Sequence, residues 1–308
     1  MTMKNYALLG LLLFLAGGVF AQNDLGYTHF VFNKLPYNPA YAGSKDVLDT
    51  RVLYRNQWMG IDGAPQTLSA NAHGSFFQNK VGIGFDVQSD QIGKTQHQLA
   101  GLSYSYRMTL NNNLRLSVGL RTGIEHARVD WTLANPEETG DNAIPTAASS
   151  ALRPNFGAGI YLTNDKFYAG LSMPRMLNSP VDPTNGLDSD PFNYRRTTYF
   201  MAGYLTRLSP LLQFKPSVLV SYNAAAPLDV DLQANFLLLD KLWLGVGHRL
   251  GDSFDALVQY ELNNRLQLGL SYDFTTSRLQ KATSGSYELL VGYTFKCADC
   301  KVKSLRYF

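Results

Sequence analysis

The sequence predicts an all-β fold, a transmembrane antiparallel β-barrel of about 14 strands of the outer-membrane type. Three observations predict it. Apolar and polar residues alternate along many segments, as in strands with one apolar and one wet face. The connections between these segments alternate between short and long, as they do at the two rims of such a barrel. A leader for export precedes them.

The leader covers residues 1–21, which are predicted to be a secretory signal peptide. Lys4 supplies the positive charge, Tyr6 to Leu15 form the apolar core, and Ala21 is the small residue that cleavage requires. An uncleaved anchor helix is the alternative, but the apolar run is shorter than the ~20 residues that span a membrane.

The composition agrees with an exported barrel. The chain has 18 Tyr and 17 Phe, and charged residues make up 17% of it. Aromatic residues form the girdles at the membrane surfaces, and the lipid-facing surface excludes charge. The net charge of +3 gives no reason to expect a nucleic-acid partner.

The chain after the leader is divided into three parts. Residues 22–46 are assigned to an N-terminal segment, periplasmic or lumenal, because Asn38 to Ser44 have turn composition without clean alternation. The barrel is assigned to residues 47–295, and residues 296–308 to a C-terminal periplasmic tail.

Strands are predicted wherever the alternation holds. They are 47–57, 66–76, 80–89, 97–108, 112–126, 155–163, 166–173, 195–207, 211–222, 229–238, 241–249, 254–261, 265–274 and 286–295. Alternation is cleanest in the fifth strand, where Val118 and Leu120 share one face and Ser117 and Arg121 the other. It is weakest in the first, second and eighth, which leaves the count open by about two strands.

The connections predict the topology. Short turns follow the even-numbered strands, and longer loops follow odd-numbered ones, notably 58–65, 127–154, 174–194 and 275–285. Short turns face the periplasm in outer-membrane barrels, so an even strand count places both termini on the periplasmic side. A soluble β-sandwich is the alternative, but it rarely combines this loop order with a leader.

Two features keep alternatives open. The last strand presents an apolar and aromatic face that ends in Phe295, which favours a signal for barrel insertion or an ordinary edge strand. The loops 127–154 and 174–194 are too long to be simple connectors. Three interpretations stay open: these loops fold over the mouth of the barrel, bind a partner, or are exposed loops that bind no partner.

Eight side chains, seven of them charged, are predicted to point into the lumen. They are Arg107, Arg115, Arg121, Glu125, Asp229, Asp231, Gln259 and Glu261, with Gln259 as the uncharged member. A water-filled pore would use such a set, and so would a plugged barrel, because buried charges need pairing. The pairs Gly82/Gly84, Gly157/Gly159 and Gly245/Gly247 lie within strands, where they permit curvature or close packing of lumenal material.

No catalytic, cofactor-binding or metal-binding residue is predicted. The five histidines lack ligand spacing, and no nucleophile elbow, phosphate loop or carboxylate pair occurs. A barrel hydrolase would need a Ser and a His at the lipid-facing rim, where His248 is interpreted as an interfacial side chain instead. Cys297 and Cys300 are predicted to form a local disulfide or remain thiols, with an intermolecular or metal contact as the alternative.

Three segments together resemble one family. Asn38 to Ser44 read NPAYAGS, Arg55 to Thr67 read RNQWMGIDGAPQT, and Ser286 to Phe295 read SYELLVGYTF. In this order and spacing they are similar to the PorP/SprF family of Bacteroidetes outer-membrane proteins. The cysteine pair has no place in the family pattern, and the matched motifs are not catalytic.

The resemblance implies a component of the type IX secretion system. Such a barrel would aid the secretion and surface anchoring of an adhesin with a C-terminal sorting domain, of the gliding type. The expected partners are that adhesin, other secretion components, a periplasmic peptidoglycan-linked protein and the lipid bilayer. A passive or solute-specific outer-membrane channel is the alternative function.

Six residues are candidates for binding a partner: Tyr41, Arg55, Asn56, Trp58, Arg115 and Arg121. Tyr41 is expected to dock in the lumen as part of a plug. One of Arg55 and Asn56 is expected to face inward, because they are adjacent at a strand end. Trp58 is either an interfacial girdle residue or a partner contact, and Gly60 to Pro65 would shape a recognition loop.

Overall fold

The computed structural model describes residues 26–111, 113–131, 148–178, 196–224, 226–263 and 265–295. The predicted signal peptide and the tail with Cys297 and Cys300 lie outside these ranges. The middle parts of the two longest loops also lie outside them.

Within these ranges the chain forms one closed antiparallel barrel of 14 strands, as predicted. They are β1 Asp49–Asn56, β2 Gln66–Phe76, β3 Val81–Ile92, β4 Thr95–Thr109, β5 Arg115–Val129, β6 Ser149–Thr163, β7 Phe167–Met173, β8 in two parts (Thr197–Tyr204 and Thr206–Ser209), β9 Leu212–Asn223, β10 Asp229–Leu238, β11 Leu242–Arg249, β12 Ser253–Leu262, β13 Leu266–Thr275 and β14 Ser286–Thr294. Each strand pairs with its neighbours in sequence, and the pairing of β1 with β14, Asp49 opposite Thr294, closes the barrel.

Strand β8 is interrupted, where the sequence predicts one continuous strand. Its first part pairs with β9 up to Gly203, opposite Ser217, and its second part from Thr206 onward. Pro216 lies on β9 at this gap and has no N–H to donate to a neighbouring strand. The Leu205 N–H donates instead to Lys166 O, at 2.6 Å.

The β5–β6 hairpin is taller than predicted. The predicted loop 127–154 is wrong at both ends, because residues 127–129 pair with residues 149–151. Pro154 lies inside β6, in a part of that strand where pairing with β7 has not begun. A proline is tolerated on such an unpaired side, since its missing N–H removes no hydrogen bond there.

The two faces of the strands are as the alternation predicts. Val118 and Leu120 on β5 are exposed, whereas Ser117 is buried. The predicted inward residues Arg107, Arg121, Glu125, Asp229, Asp231, Gln259 and Glu261 are all buried. The exposed apolar side chains therefore form the lipid-facing surface, and the hydrophobic core lies inside the barrel.

The two ends of the barrel differ in their connections. We call one the long-loop end; it carries the connections 57–65, 130–148, 174–196 and 276–285. We call the other the short-turn end; it carries the turns 77–80, 110–114, 164–166, 210–211, 239–241 and 263–265. The described residues contain no helix with the length and apolarity to cross a bilayer.

Residues 26–47, here called the plug, lie inside the barrel. They contain two short 3-10 turns, Thr28–Val31 and Pro39–Tyr41. Their apolar side chains form one buried cluster with inward residues of the wall, among them Tyr161, Tyr168 and Trp243. The described part of the plug is therefore packed against the wall like a protein core.

Candidate functional site

The plug is held at the long-loop end by carboxylates of the barrel wall. The backbone N–H groups of Thr28 and His29 donate to Glu288, at 2.7 and 3.0 Å. His29 Nδ1 lies 2.8 Å from the same carboxylate, and Thr28 Oγ1 donates to Asp273 at 2.6 Å. Arg55 lies 2.5 Å from Glu288 and 2.8 Å from Asp273. Hydrogen bonds to a charged group are about twice as strong as neutral ones.

At the short-turn end the plug supplies a carboxylate, Asp46, and also an ammonium group, since Lys45 donates to Asp49 of β1 at 3.0 Å. Arg107 and Arg115 both donate to Asp46, each at 2.7 Å. Two further contacts hold the neighbouring backbone of the plug. Ser105 Oγ donates to Ala42 O at 2.7 Å, and the Gly43 N–H donates to His73 Nδ1 at 3.1 Å.

These contacts fix the direction of the plug. It begins at the long-loop end, where Gly26 lies against the Arg249 guanidinium, and it ends at the short-turn end at Asp46. The chain then reverses into β1, whose first residue pairs with the last residue of β14. The first described residue of the plug therefore lies at the long-loop end of the barrel, and its last residues lie at the short-turn end.

Aromatic contacts hold the middle of the plug. Tyr41 packs edge-on against Tyr161 and His73, with ring centres 5.4 and 5.0 Å apart. Phe32 packs in the same way on Trp243, at 5.4 Å. Edge-to-face pairs at this spacing contribute ~0.5–1.5 kcal/mol beyond the area that they bury.

A buried lysine lies among these rings. Lys34 Nζ lies 4.5 Å from the centre of the Tyr168 ring and 5.2 Å from that of Tyr41. It donates to Val31 O at 2.7 Å. The rings offer this cation a π-face inside the lumen.

Inward glycines make room for the plug backbone. A Cβ at Gly82 would lie 2.0 Å from Ala42 O, and one at Gly119 would lie 2.2 Å from Ala40 N. A Cβ at Gly159 would lie 2.3 Å from the Asn38 side chain. Close packing of lumenal material is thus confirmed for the first two Gly-x-Gly pairs, since Gly84 lies against Leu35 and Gly157 against Pro174. Gly245 and Gly247 instead accommodate Asn235 and Gln233, which are side chains of the wall.

Little space remains in the lumen around Arg121 of β5. A cavity of about 30 Å³ lies between this guanidinium, the plug and the connection after β7. Such a volume holds about one or two water molecules. Arg121 pairs with Asp86 and donates to Pro174 O at 3.4 Å, so the connection after β7 folds inward here.

Loop 57–65, which contains part of the family-like motif, is held between two neighbouring connections. Met59 N donates to Gly285 O, and Ser284 N to Met59 O, both at 2.8 Å. On the other side Gly93 N donates to Gly63 O, also at 2.8 Å. We call residues 57–65, 93–94 and 276–285 the loop platform. Gly63 has φ +74°, a conformation that glycine adopts without strain.

The six candidate residues fall into two groups. Tyr41, Arg55 and Arg121 are buried in the lumen with partners of this chain, and Arg115 is half-buried on Asp46. Asn56, next to the inward Arg55, lies on the outward face, and the half-buried Trp58 begins the loop platform. Its N–H donates to Ser286 Oγ at 3.0 Å.

The sequence analysis did not identify the residues that bind the plug ends. They are His29, Asp46, Asp273 and Glu288. Glu288 carried a visible signal, because it is a lone acid on the inward face of an otherwise apolar strand. The alternation gives its direction but not its partner.

No catalytic geometry surrounds His248. Its ring lies on the outward face, stacked on Phe254 with centres 4.2 Å apart, and Nδ1 is 2.8 Å from the carbonyl oxygen of Ser253. In the part of the chain that the structure describes, no group of three or more His, Cys, Asp or Glu residues could hold a metal ion.

Comparison with known proteins identifies one family. The model of the family described as type IX secretion system membrane protein PorP/SprF matches residues 19–293, nearly the whole chain. No curated protein matches the sequence.

Several solved barrels resemble the structure. Outer membrane protein Omp33 of Acinetobacter baumannii gives a TM-score of 0.49 at 7% identity, over 82% of this chain and 100% of that one. A FadL homologue of Pseudomonas aeruginosa gives 0.47 at 13% identity, over 92% and 96%. A KdgM porin gives 0.37 at 10% identity, over 80% and 99%.

Proposed function

The chain belongs to the PorP/SprF family of type IX secretion system membrane proteins, and on that premise we propose that it aids the secretion and surface anchoring of one cargo protein. The cargo is an adhesin with a C-terminal sorting domain, of the gliding type. The barrel acts without catalysis, as a holder and guide for this polypeptide in the outer membrane. Its other partners are secretion components, including a periplasmic peptidoglycan-linked protein at the short-turn end.

The observation that carries this proposal is the filled lumen. Residues 26–47 occupy it, are bound at both ends by charged groups, and pack against inward glycines in between. A solute channel of this width needs a continuous wet path. A barrel filled by its own chain is better suited to bind a polypeptide at its rim than to conduct a solute.

The loop platform is the proposed cargo-binding surface. It lies at the long-loop end, and its exposed residues include Asp62, Arg278 and Lys281. Its backbone is fixed from both sides by hydrogen bonds, so a partner would meet a preformed surface. Trp58 and Asn56 are the candidates for direct contact. The other four candidates lie in the lumen and would affect a partner only indirectly, through the position of the plug. They are Tyr41, Arg55, Arg115 and Arg121.

Deletion of the gene, followed by quantitative proteomics of the cell surface and the medium, tests the proposal. We expect one or a few sorting-domain proteins to disappear from the surface while other secreted proteins are unchanged. Complementation with the wild-type gene should restore them. An unchanged profile in the deletion strain contradicts the proposal.

Conductance in planar bilayers separates this function from the channel alternative. A passive or solute-specific channel should conduct as the purified full-length protein. The plugged barrel should remain closed, and removal of residues 26–46 should produce open-channel currents. Frequent openings of the wild-type protein would favour the channel.

A further inference from the structure

We propose that the plug is threaded through the barrel from the outside inward, so that its upstream end, before Gly26, opens to the cell exterior and its downstream end lies at the periplasmic rim. This topology goes beyond the secretion role and does not depend on it. It makes the plug a link that reaches from one side of the outer membrane to the other through the lumen.

The upstream end of the plug lies among residues at the long-loop end. Gly26 lies against Arg249, the last residue of β11. Thr28 contacts Asp273 and Glu288, which flank the connection 276–285 between β13 and β14. Three strands thus place the start of the plug at the same height, directly below the loop platform.

The downstream end lies at the opposite rim. Asp46 binds Arg107 and Arg115, which flank the short turn 110–114. Asp49 then starts β1 opposite Thr294, the end of β14. The plug therefore runs through the lumen antiparallel to β1. Its middle folds back onto its start, where the Tyr27 N–H donates to the Tyr37 hydroxyl at 2.9 Å, but its two ends lie at opposite rims.

The membrane orientation follows from the connections. Outer-membrane barrels carry their long loops outside and their short turns in the periplasm. The connections 130–148 and 174–196, the longest in the chain, lie at the end where the plug begins. Gly26 is thus at the external mouth and Asp46 at the periplasmic rim.

This topology differs from the expectation based on strand count alone. An even count does bring the start of β1 and the end of β14 to one rim, but the plug carries the N-terminal end across the membrane once more. The plug contacts strands around the wall, from β3 and β5 to β13 and β14.

A tag-accessibility experiment on intact cells tests the proposal. A short peptide tag is inserted between Asn23 and Asp24 of the full chain, and in a second strain after Phe308. Antibody should bind the N-terminal tag on intact cells and the C-terminal tag only after the outer membrane is permeabilised. Heat-modifiable mobility on gels confirms that each tagged barrel is folded.

Cysteine labelling determines which end of the barrel faces the cell exterior and which faces the periplasm. In a background with Cys297→Ser and Cys300→Ser, an impermeant maleimide should label the Asp62→Cys variant on intact cells. The Asp165→Cys variant, in a short turn, should be labelled only after permeabilisation. The Asn23→Cys variant repeats the N-terminal measurement without added length, should the tagged barrel fail to fold.

Protection of residue 23 on intact cells, while the Asp62→Cys variant is labelled, overturns the proposal, because the upstream end would then lie on the periplasmic side. Labelling of Asp165→Cys and not Asp62→Cys on intact cells overturns it as well, since the barrel would be inverted. Labelling of Asn23→Cys together with Asp62→Cys supports it. None of these outcomes depends on which cargo the barrel serves.

Discussion

The two ends of the plug are held by different sets of charged groups, and in different surroundings. At the long-loop end the wall supplies the acids, and the side chains of Glu288 and Arg55 are 0% and 3% exposed. At the short-turn end the plug supplies the acid Asp46, and the side chains of Asp46 and Arg115 are 15% and 35% exposed. The plug also supplies a buried cation there, since Lys45 binds Asp49 of β1 at 3.0 Å. The contacts of Glu288 are dry, whereas the contact between Asp46 and Arg115 is partly open to water.

This difference gives the plug a firm end and a weaker end. A buried charge that loses its partner cannot be rescued by solvent, so breaking a buried pair costs ~3–5 kcal/mol. Exposed pairs contribute ~0–1 kcal/mol, because water solvates the separated charges almost as well. We therefore expect the plug to be anchored at its upstream end and to loosen first at the short-turn end.

The largest effect is expected from Glu288→Ala. It removes the acceptor for the N–H groups of Thr28 and His29 and one of the two carboxylates beside Arg55. We expect the free energy of unfolding to fall by ~3–5 kcal/mol and open-channel currents to appear in planar bilayers. Denaturant titration in detergent and single-channel recording measure the two effects.

Glu125→Ala is the matched control for this variant. Glu125 is also a buried carboxylate of the lumen, and it contacts Asn155 and His97, which both belong to the wall. It should lower stability without opening the lumen. Equal conductance in both variants would show that Glu288 supports the wall rather than the plug.

A smaller effect is expected from Asp46→Ala, at the other end of the plug. Arg115 can turn to water, but Arg107, whose side chain is 2% exposed, loses its charged partner. An unpaired buried donor costs ~1–3 kcal/mol. We expect currents that are briefer than those of Glu288→Ala, because the upstream anchor remains. Asp130→Ala, in an exposed pair with Arg128, is the control and should leave the lumen closed.

The sequence predicted the wall of this molecule better than its contents. Alternation along one strand depends on that strand's own residues, so the faces of β5 and the inward Arg121 could be predicted. The break in β8 depends on Pro216 of another strand. The plug contacts join residues far apart in the chain, such as Thr28 and Glu288, and no periodic pattern reports such a pair.

The loop platform was predictable only in part. The glycines and proline of residues 57–65 indicated a shaped loop, and Gly63 does adopt a positive φ. Its neighbours could not be inferred, because Gly93 and Gly285 are brought to it by the closure of the barrel. The sequence did predict that Tyr41 belongs to a lumenal plug. For the same reason as above, it did not show that Arg55 would contact Thr28 of that plug or that Arg121 would pair with Asp86.

The smallest effect is expected from Arg115→Ala, which tests whether solvent screens the weaker end. The Arg115 side chain is 35% exposed, and Arg107 still binds Asp46 in its absence. We expect the free energy of unfolding to fall by ~0–1 kcal/mol. We also expect a modest rise in brief openings, as large at low as at high salt.

In the wild-type protein, raising the salt from 0.1 to 1 M shortens the Debye length from about 10 to about 3 Å. That change should weaken the Arg115–Asp46 pair and so move wild-type openings toward those of the variant. The Glu288 contacts are dry, so salt should leave the upstream end unaffected. If salt instead raised the openings of Arg115→Ala as steeply as those of the wild type, the screened contact would lie elsewhere, and the contrast between the two ends would be lost.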